Sequence, residues 1–291
     1  MQDSESQHIP WHAAFVEALQ MELEAYQDIL EIHPEFQLTA EPLRIDCVVI
    51  KKVKDAVVTK NIAALFREAN LLEYKSPDDY VSIADFYKVY GYACLYASFE
   101  QIPVTSLTIS FVESHYPRDL IAHLQEVRGY QVEEKNTGIY TVKGDILPIQ
   151  IIDNRKLSAA ENLWLKDLDN RLGVQDIQWI TAEILRQGKA ARIRAYLDAI
   201  TRANANSLQE AIRMSETTLT LDEIFEEAGL VAKWEARGEA RGEARGEARG
   251  EERIALKIAQ NLVNLGLPAE TIISATSLDP EKVKALYPSL Q

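Results

Sequence analysis

Asn70-Leu-Leu-Glu-Tyr-Lys-Ser-Pro-Asp-Asp-Tyr80 is an apolar run that ends in an acid and a lysine two residues apart and then turns. A strand's period of two puts Leu71, Glu73 and Lys75 on one face. Pro77 fixes its own φ and biases Ser76 away from helix, so Ser76 to Asp79 reads as a turn. Upstream, Leu43 to Ile50 is apolar on both parities: Leu43, Ile45, Cys47 and Val49 on one, Val48 and Ile50 on the other. Such a strand is covered on both sides, yet Asp46 shares its second face. A carboxylate there is costly unless paired, hydrogen-bonded or metal-bound.

Helix and strand signals extend in both directions from these two runs. Trp11 to Glu31 has the three-and-four apolar spacing of an amphipathic helix, with Glu22 inside the apolar face. Phe36 to Thr39 is placed to form a hairpin with Leu43 to Ile50, and Lys60 to Ala69 reads as helix. Ser82 and Asp85 form a capping-box pattern that opens a helix running to about Ser98. Ser106 to Val112 reads as a strand and Arg118 to Arg128 as a helix. Strands are expected near Gln131, over Gly138 to Val142 and over Leu147 to Ile152, with turns at Asn136-Thr137-Gly138 and Lys143-Gly144-Asp145 between them.

Helical periodicity replaces the strand pattern after Arg155, over Leu157 to Leu172, Asp176 to Gln187, Ala190 to Met214 and from Leu221 onward. Glu-Ala-Arg-Gly then repeats from Glu235 to Gly250. A helical period of four drifts about 40° per repeat, and each glycine costs roughly 0.8–1 kcal/mol relative to alanine. The repeat is therefore expected as a marginal solvated helix or a flexible spacer. Short helices joined at Thr276-Ser277-Leu278, the last opened by Asp279-Pro280, fit helix-turn-helix geometry, with Lys282 and Lys284 its only cations there. The expected organisation is an α/β domain over 9–155, a helical extension over 156–234, the repeat over 235–253 and a small helical tail over 254–291.

Composition narrows the function. The 47% apolar content of the 291 residues suits a globular protein, no run approaches the ~20 apolar residues of a membrane span, and the polar start is unlike a signal peptide. These features point to a cytoplasmic chain with no membrane partner. Cys47 and Cys94 are too few for a disulfide framework and read as core residues, and His8, His12, His33, His115 and His123 lack zinc spacing. A net charge of -14 argues against a protein that coats nucleic acid. Leu43 to Lys75 nevertheless carries seven cations against four acids, and Lys51, Lys52, Lys54, Lys60 and Arg67 are its candidate nucleic-acid contacts.

Asp46 and Glu73 on neighbouring strands, with the backbone carbonyl of Tyr74, offer hard oxygens to a magnesium or manganese ion. Lys75 would orient or deprotonate the attacking water and offset phosphate charge, and Glu22 would complete the site. A structural ion pair between Lys75 and Asp46 accounts for the spacing about as well. The element order, helix, strands with Asp46, strand with Glu73-x-Lys75, helix, strand, resembles the PD-(D/E)XK nuclease fold. Leu43-Arg-Ile-Asp-Cys-Val-Val-Ile-Lys-Lys52, Leu72 to Tyr80, Asp85-Phe-Tyr-Lys-Val-Tyr-Gly-Tyr-Ala-Cys-Leu-Tyr96 and Leu157-Ser-Ala-Ala-Glu-Asn-Leu-Trp-Leu-Lys166 resemble the PD-(D/E)XK family transposases, relatives of the Rpn recombination-promoting nucleases. The likeness implies a restriction-endonuclease-like α-β-β-β-α-β core. It also implies a magnesium-dependent DNA endonuclease of mobile-element type, with Asp46, Glu73 and Lys75 matching the family motif. The proline of the family name does not precede Asp46, which follows Arg44-Ile45. The alternative reading is a catalytically inactive nucleic-acid or protein binding module on the same fold, self-associating as a homo-oligomer through its C-terminal helices.

Overall fold

A computed structural model describes residues 9–37, 44–53, 56–214 and 218–286. The chain forms two compact units that divide between Gly229 and Leu230. The first is mixed α/β. Helix α1 (Trp11–Glu22) leads into β1 (Leu30–Gln37), β2 (Arg44–Lys51) and β3 (Ala69–Tyr74), then α2 (Ile83–Phe99) and β4 (Leu107–Glu113). Helix α3 (Arg118–Glu126) and strands β5 (Gln131–Asn136), β6 (Ile139–Lys143) and β7 (Ile149–Asp153) follow. All seven strands form one sheet in the order β1-β2-β3-β4-β7-β6-β5. The β3-β4 and β4-β7 pairs at its centre are parallel and the remaining pairs antiparallel.

Strands β3, β4 and β7 are buried along their whole length, as expected of parallel strands covered on both faces. Leu71, Ile109, Phe111, Ile149 and Ile151 pack with Phe86, Val89 and Ala93 of α2 and Leu120 and Leu124 of α3. On the opposite side Phe15 of α1 stacks on Tyr74, with ring centroids 4.7 Å apart. Helix α1 is in turn packed against α4 (Ala159–Lys166) and α6 (Arg194–Ala203), which join α5 (Val174–Gln187), α7 (Ala205–Met214) and α8 (Thr218–Glu227) in the helical part of this unit.

Several local expectations give way to tertiary structure. The first helix stops at Glu22, nine residues before its expected end at Glu31, because the chain from Leu30 joins a ladder running from Leu30 opposite Lys51 to Gln37 opposite Arg44. That hairpin is longer than the expected Phe36 to Thr39, of which Thr39 lies outside the described residues. Lys60 to Ala69 is not an α-helix and contains only a 3-10 turn at Asn61–Ala63. The Asn70 side chain captures this backbone, accepting from Arg67 N–H at 2.7 Å and donating to the Arg67 and Val49 carbonyls, each at 3.0 Å. The single helix expected over Ala190 to Met214 breaks at Asn204, whose side chain accepts from Leu172 N–H and donates to Asp169 O, both at 2.8 Å. Cys47 is buried as expected. Cys94 is exposed, because it projects from α2 away from the Val89, Ala93 and Tyr96 face.

The second unit is α9 (Leu230–Asn264), α10 (Ala269–Thr276) and α11 (Pro280–Lys284), closed around Ala259, Ile272, Leu278 and Val283. The Glu-Ala-Arg-Gly repeat lies within the continuous α9, the helical of its two expected alternatives. No helix among the described residues is long and apolar enough to cross a membrane.

Candidate active site

The last pairs of the β2-β3 ladder join Ile50 to Ala69 at one end and Cys47 to Leu72 at the other. Continued by one residue, the register would set Asp46 opposite Glu73, and it is here that the strands part. Tyr74 N–H, which would otherwise seek a β2 carbonyl, donates to Asp46 Oδ2 at 2.8 Å. A charge-assisted bond of this kind contributes about 1.5–3 kcal/mol and holds the carboxylate in the gap. In an extended strand a residue's N–H and C=O point to the same side, so the Tyr74 carbonyl faces the gap too. His12 Nδ1, on α1, lies 3.3 Å from Asp46 Oδ1. The hydrogen bond to Asp46 raises the His12 pKa, more than burial lowers it.

Glu73 is buried, its side chain only 6% exposed. Burial, and then the charge of Asp46, raise its pKa against the opposing pull of Lys88 and Lys75. Lys88 Nζ donates to Glu73 Oε1 at 2.8 Å and lies 3.5 Å from Asp85 Oδ1. Asp85 Oδ1 also accepts from Lys75 Nζ at 2.9 Å, and Asp79 lies 3.7 Å from the same ammonium. An alternating series results, from Glu73 to Lys88 to Asp85 to Lys75 to Asp79. It is anchored where α2 begins, because Ser82 and Asp85 form the expected capping box. Burial raises the Asp85 pKa, but Ser82 and Lys75 outweigh it and bring it down to about 2. For Lys75, burial favours the neutral amine, yet Asp85, Asp79 and Glu73 more than reverse this. Lys75 is therefore an ammonium at neutral pH. Its recorded partners are Asp85 and Asp79, not the Asp46 of the ion-pair reading.

The other sequence-derived candidates lie elsewhere. Glu22 is ten residues beyond His12, about 15 Å along α1. Its carboxylate pairs with Lys60 and accepts from Trp164 N–H at 2.9 Å and Leu165 N–H at 3.2 Å. Burial raises its pKa more than these partners lower it. Lys60 also donates to the Glu161 carbonyl, and Arg67 to the Thr105 carbonyl. Lys51 ends β2, five residues from Asp46 and thus about 16 Å along the strand. Lys52 follows it, and Lys54 lies outside the described residues. Of the basic island, Lys51, Lys60 and Arg67 are consequently not at the acidic gap, whereas Lys75 is. In the second unit, Lys282 pairs with Glu252, and Lys284 with Glu281 at 2.8 Å.

Three residues that the sequence reading did not select belong to the site: His12, Asp85 and Lys88. Asp85 was legible only as a cap. Its spacing of three from Lys88 on α2 is the signal that an acid and a base share a helix face.

Among the described residues no three His, Cys, Asp or Glu side chains converge to hold a metal ion by themselves. Magnesium commonly takes one or two carboxylates and completes its octahedron with water and phosphate oxygens. Asp46, Glu73 and the Tyr74 carbonyl match that demand in chemistry: hard oxygens around a gap where two carboxylates raise each other's need for positive charge. No protein-family model, curated protein or solved structure matches this chain.

Proposed function

We propose that the chain is a divalent-metal-dependent DNA endonuclease with a PD-(D/E)XK core, acting through Asp46, Glu73 and Lys75. The observation that carries this reading is the parting of β2 and β3 at two carboxylates, one of them buried, with the Tyr74 carbonyl on the same side. The order α1-β1-β2-β3-α2-β4 supports it, as does the resemblance of the surrounding segments to the recombination-promoting nucleases. Bound between these oxygens, magnesium or manganese would supply charge stabilisation for the phosphate and acidify a water.

The protein's own groups have separate tasks. Asp46 is held by Tyr74 N–H on Oδ2 and by His12 at Oδ1, so its carboxylate stays beside Glu73 at the point where the strands part. Glu73 supplies the second carboxylate, and Asp85 keeps Lys75 charged. Lys75 thus acts as an electrostatic partner of the phosphate and a positioner of water, not as the base that deprotonates it.

The test is nicking of supercoiled plasmid DNA by purified protein with magnesium or manganese. The wild type is expected to nick, and to stop when chelator is added. Asp46→Asn, which retains an acceptor for Tyr74 N–H, is expected to keep its fold by circular dichroism and lose at least a hundredfold in rate. Equal nicking by wild type and Asp46→Asn would remove the site from the reaction.

A further inference from the structure

The series of charges holds two lysines in unequal circumstances. Lys75 is 14% exposed and tied to Asp85 at 2.9 Å and Asp79 at 3.7 Å. Lys88 is 40% exposed, rises from one face of α2, and places its ammonium on Glu73 at 2.8 Å. Asp85, at 3.5 Å, is its second partner. Lys88 thus occupies one oxygen of the carboxylate that would face a metal ion.

We propose that Lys88 is the resident counter-cation of Glu73 in the metal-free protein, and that divalent metal binding releases it to the phosphate backbone of the DNA. This rests on the nuclease reading above and extends it with a second phosphate-binding lysine.

The argument begins with Glu73. A buried carboxylate beside Asp46 requires a positive charge if it is to stay ionised, and Lys88 supplies one. A divalent ion between Asp46 and Glu73 supplies two, and to both acids at once. An ammonium cannot remain on the same carboxylate without standing within a few ångströms of that ion, where like charges repel strongly in a partly desolvated site. Lys88 has somewhere to go. Its four-carbon stem is long and its head is already partly in water, and Asp85 keeps it near the gap. The direction in which it can swing is towards solvent, from which a polyanionic substrate arrives. Lys75 lacks this freedom, being much the more enclosed of the two.

This exchange makes opposite predictions for metal and for DNA. Lys88→Met keeps an unbranched side chain one atom shorter and removes the charged competitor. Manganese binding to the metal-free protein, measured by titration calorimetry, is expected to tighten by about tenfold, since a charged competitor for Glu73 is gone. Lys88→Arg is expected to bind manganese much as the wild type does. DNA binding is measured by fluorescence anisotropy on a short duplex over a range of salt, with calcium as a divalent ion that supports binding. There Lys88→Met is expected to weaken affinity by about tenfold and to flatten the salt slope by about one unit. Without divalent ion, where Lys88 is held on Glu73, the variant and the wild type should bind DNA alike.

Equal manganese affinity in the wild type and Lys88→Met overturns the counter-cation role while leaving the nuclease reading in place. An unchanged salt slope with calcium overturns the transfer to phosphate. Absence of manganese binding in both proteins overturns the metal site, and with it both the exchange and the nuclease reading. Circular dichroism of Lys88→Met confirms that the half-exposed position tolerates the change.

Discussion

Replacing Glu22 with alanine separates support of the fold from metal binding. The Glu22 side chain is 2% exposed and pairs with Lys60, whose own side chain is 19% exposed. Its Oε1 accepts the N–H groups of Trp164 and Leu165. These donors follow Asn162, whose φ of -140° and ψ of 53° interrupt α4, so Glu22 caps the resumed helix from another element. Each stranded N–H costs about 1–3 kcal/mol, and breaking a buried ion pair from one side costs about 3–5 kcal/mol in all. Lys60 can partly rehydrate, so Glu22→Ala is expected to lose about 3–5 kcal/mol in urea denaturation, within the range for partner removal alone. At about 2–4 °C per kcal/mol for a unit of this size, the melting temperature falls by roughly 10 °C. Adding Lys60→Met should recover part of the loss, because no part-buried ammonium is then left without its carboxylate. Metal affinity at Asp46 and Glu73 should be unchanged in whatever fraction stays folded. A loss below about 1 kcal/mol accompanied by weakened manganese binding would refute this reasoning and put Glu22 in the metal site.

Glu113, which ends β4 directly opposite Asp153 on β7, is fully buried; burial first, and then Asp153, raise its pKa to about 8, although Val81 N–H opposes this. A raised carboxyl contributes stability that is complete below its unfolded value near 4.5 and is lost as pH rises through 8; Glu113→Gln should abolish a few kcal/mol of decline in urea stability between pH 5 and pH 8.5, and an equal decline in variant and wild type would contradict it. A Cβ added to Gly242, Gly246 or Gly250 meets nothing within 4 Å, so changing all three to alanine should strengthen α9 by roughly 0.8–1 kcal/mol each. Circular dichroism melts that show no gain in helicity would count against the continuous helix.

Much of the first unit was legible because its signals are local. A short apolar run closed by the Ser76-Pro77 turn marked Asn70 to Lys75, and Ser82 with Asp85 marked the start of α2. Sequence alone could not settle contests between a segment's own preference and a partner far along the chain. The segment after Glu22 has helical spacing, but Leu30 to Gln37 gains a complete backbone ladder by pairing with β2. Lys60 to Ala69 lost its helix to one buried asparagine. The repeat was read from its glycines, yet three of every four residues in it are good helix formers. Over 35 residues the cost of helix nucleation is also incurred only once.

The site divides along the same line. Asp46, Glu73 and Lys75 could be selected because an acid within an apolar strand, and an acid and a lysine closing the next, are anomalous residue types there. The basic island is dispersed in the fold because neighbours in sequence need not be neighbours in space. An eight-residue strand spans about 26 Å, enough to carry Lys51 to the opposite end of β2 from the acids. His12 and Lys88 were illegible for the converse reason, since each reaches the gap only through the docking of a helix on the sheet. Their positions bear on how an acidic gap can exist before any metal arrives. Unpaired, Asp46 and Glu73 would repel each other in a partly buried setting and favour local opening. With His12 on one and Lys88 on the other, each carboxylate has a partner at 3.3 Å or less. The fold can therefore assemble with both acids in place, and on the proposed reading a metal ion would compete with these partners for its ligands.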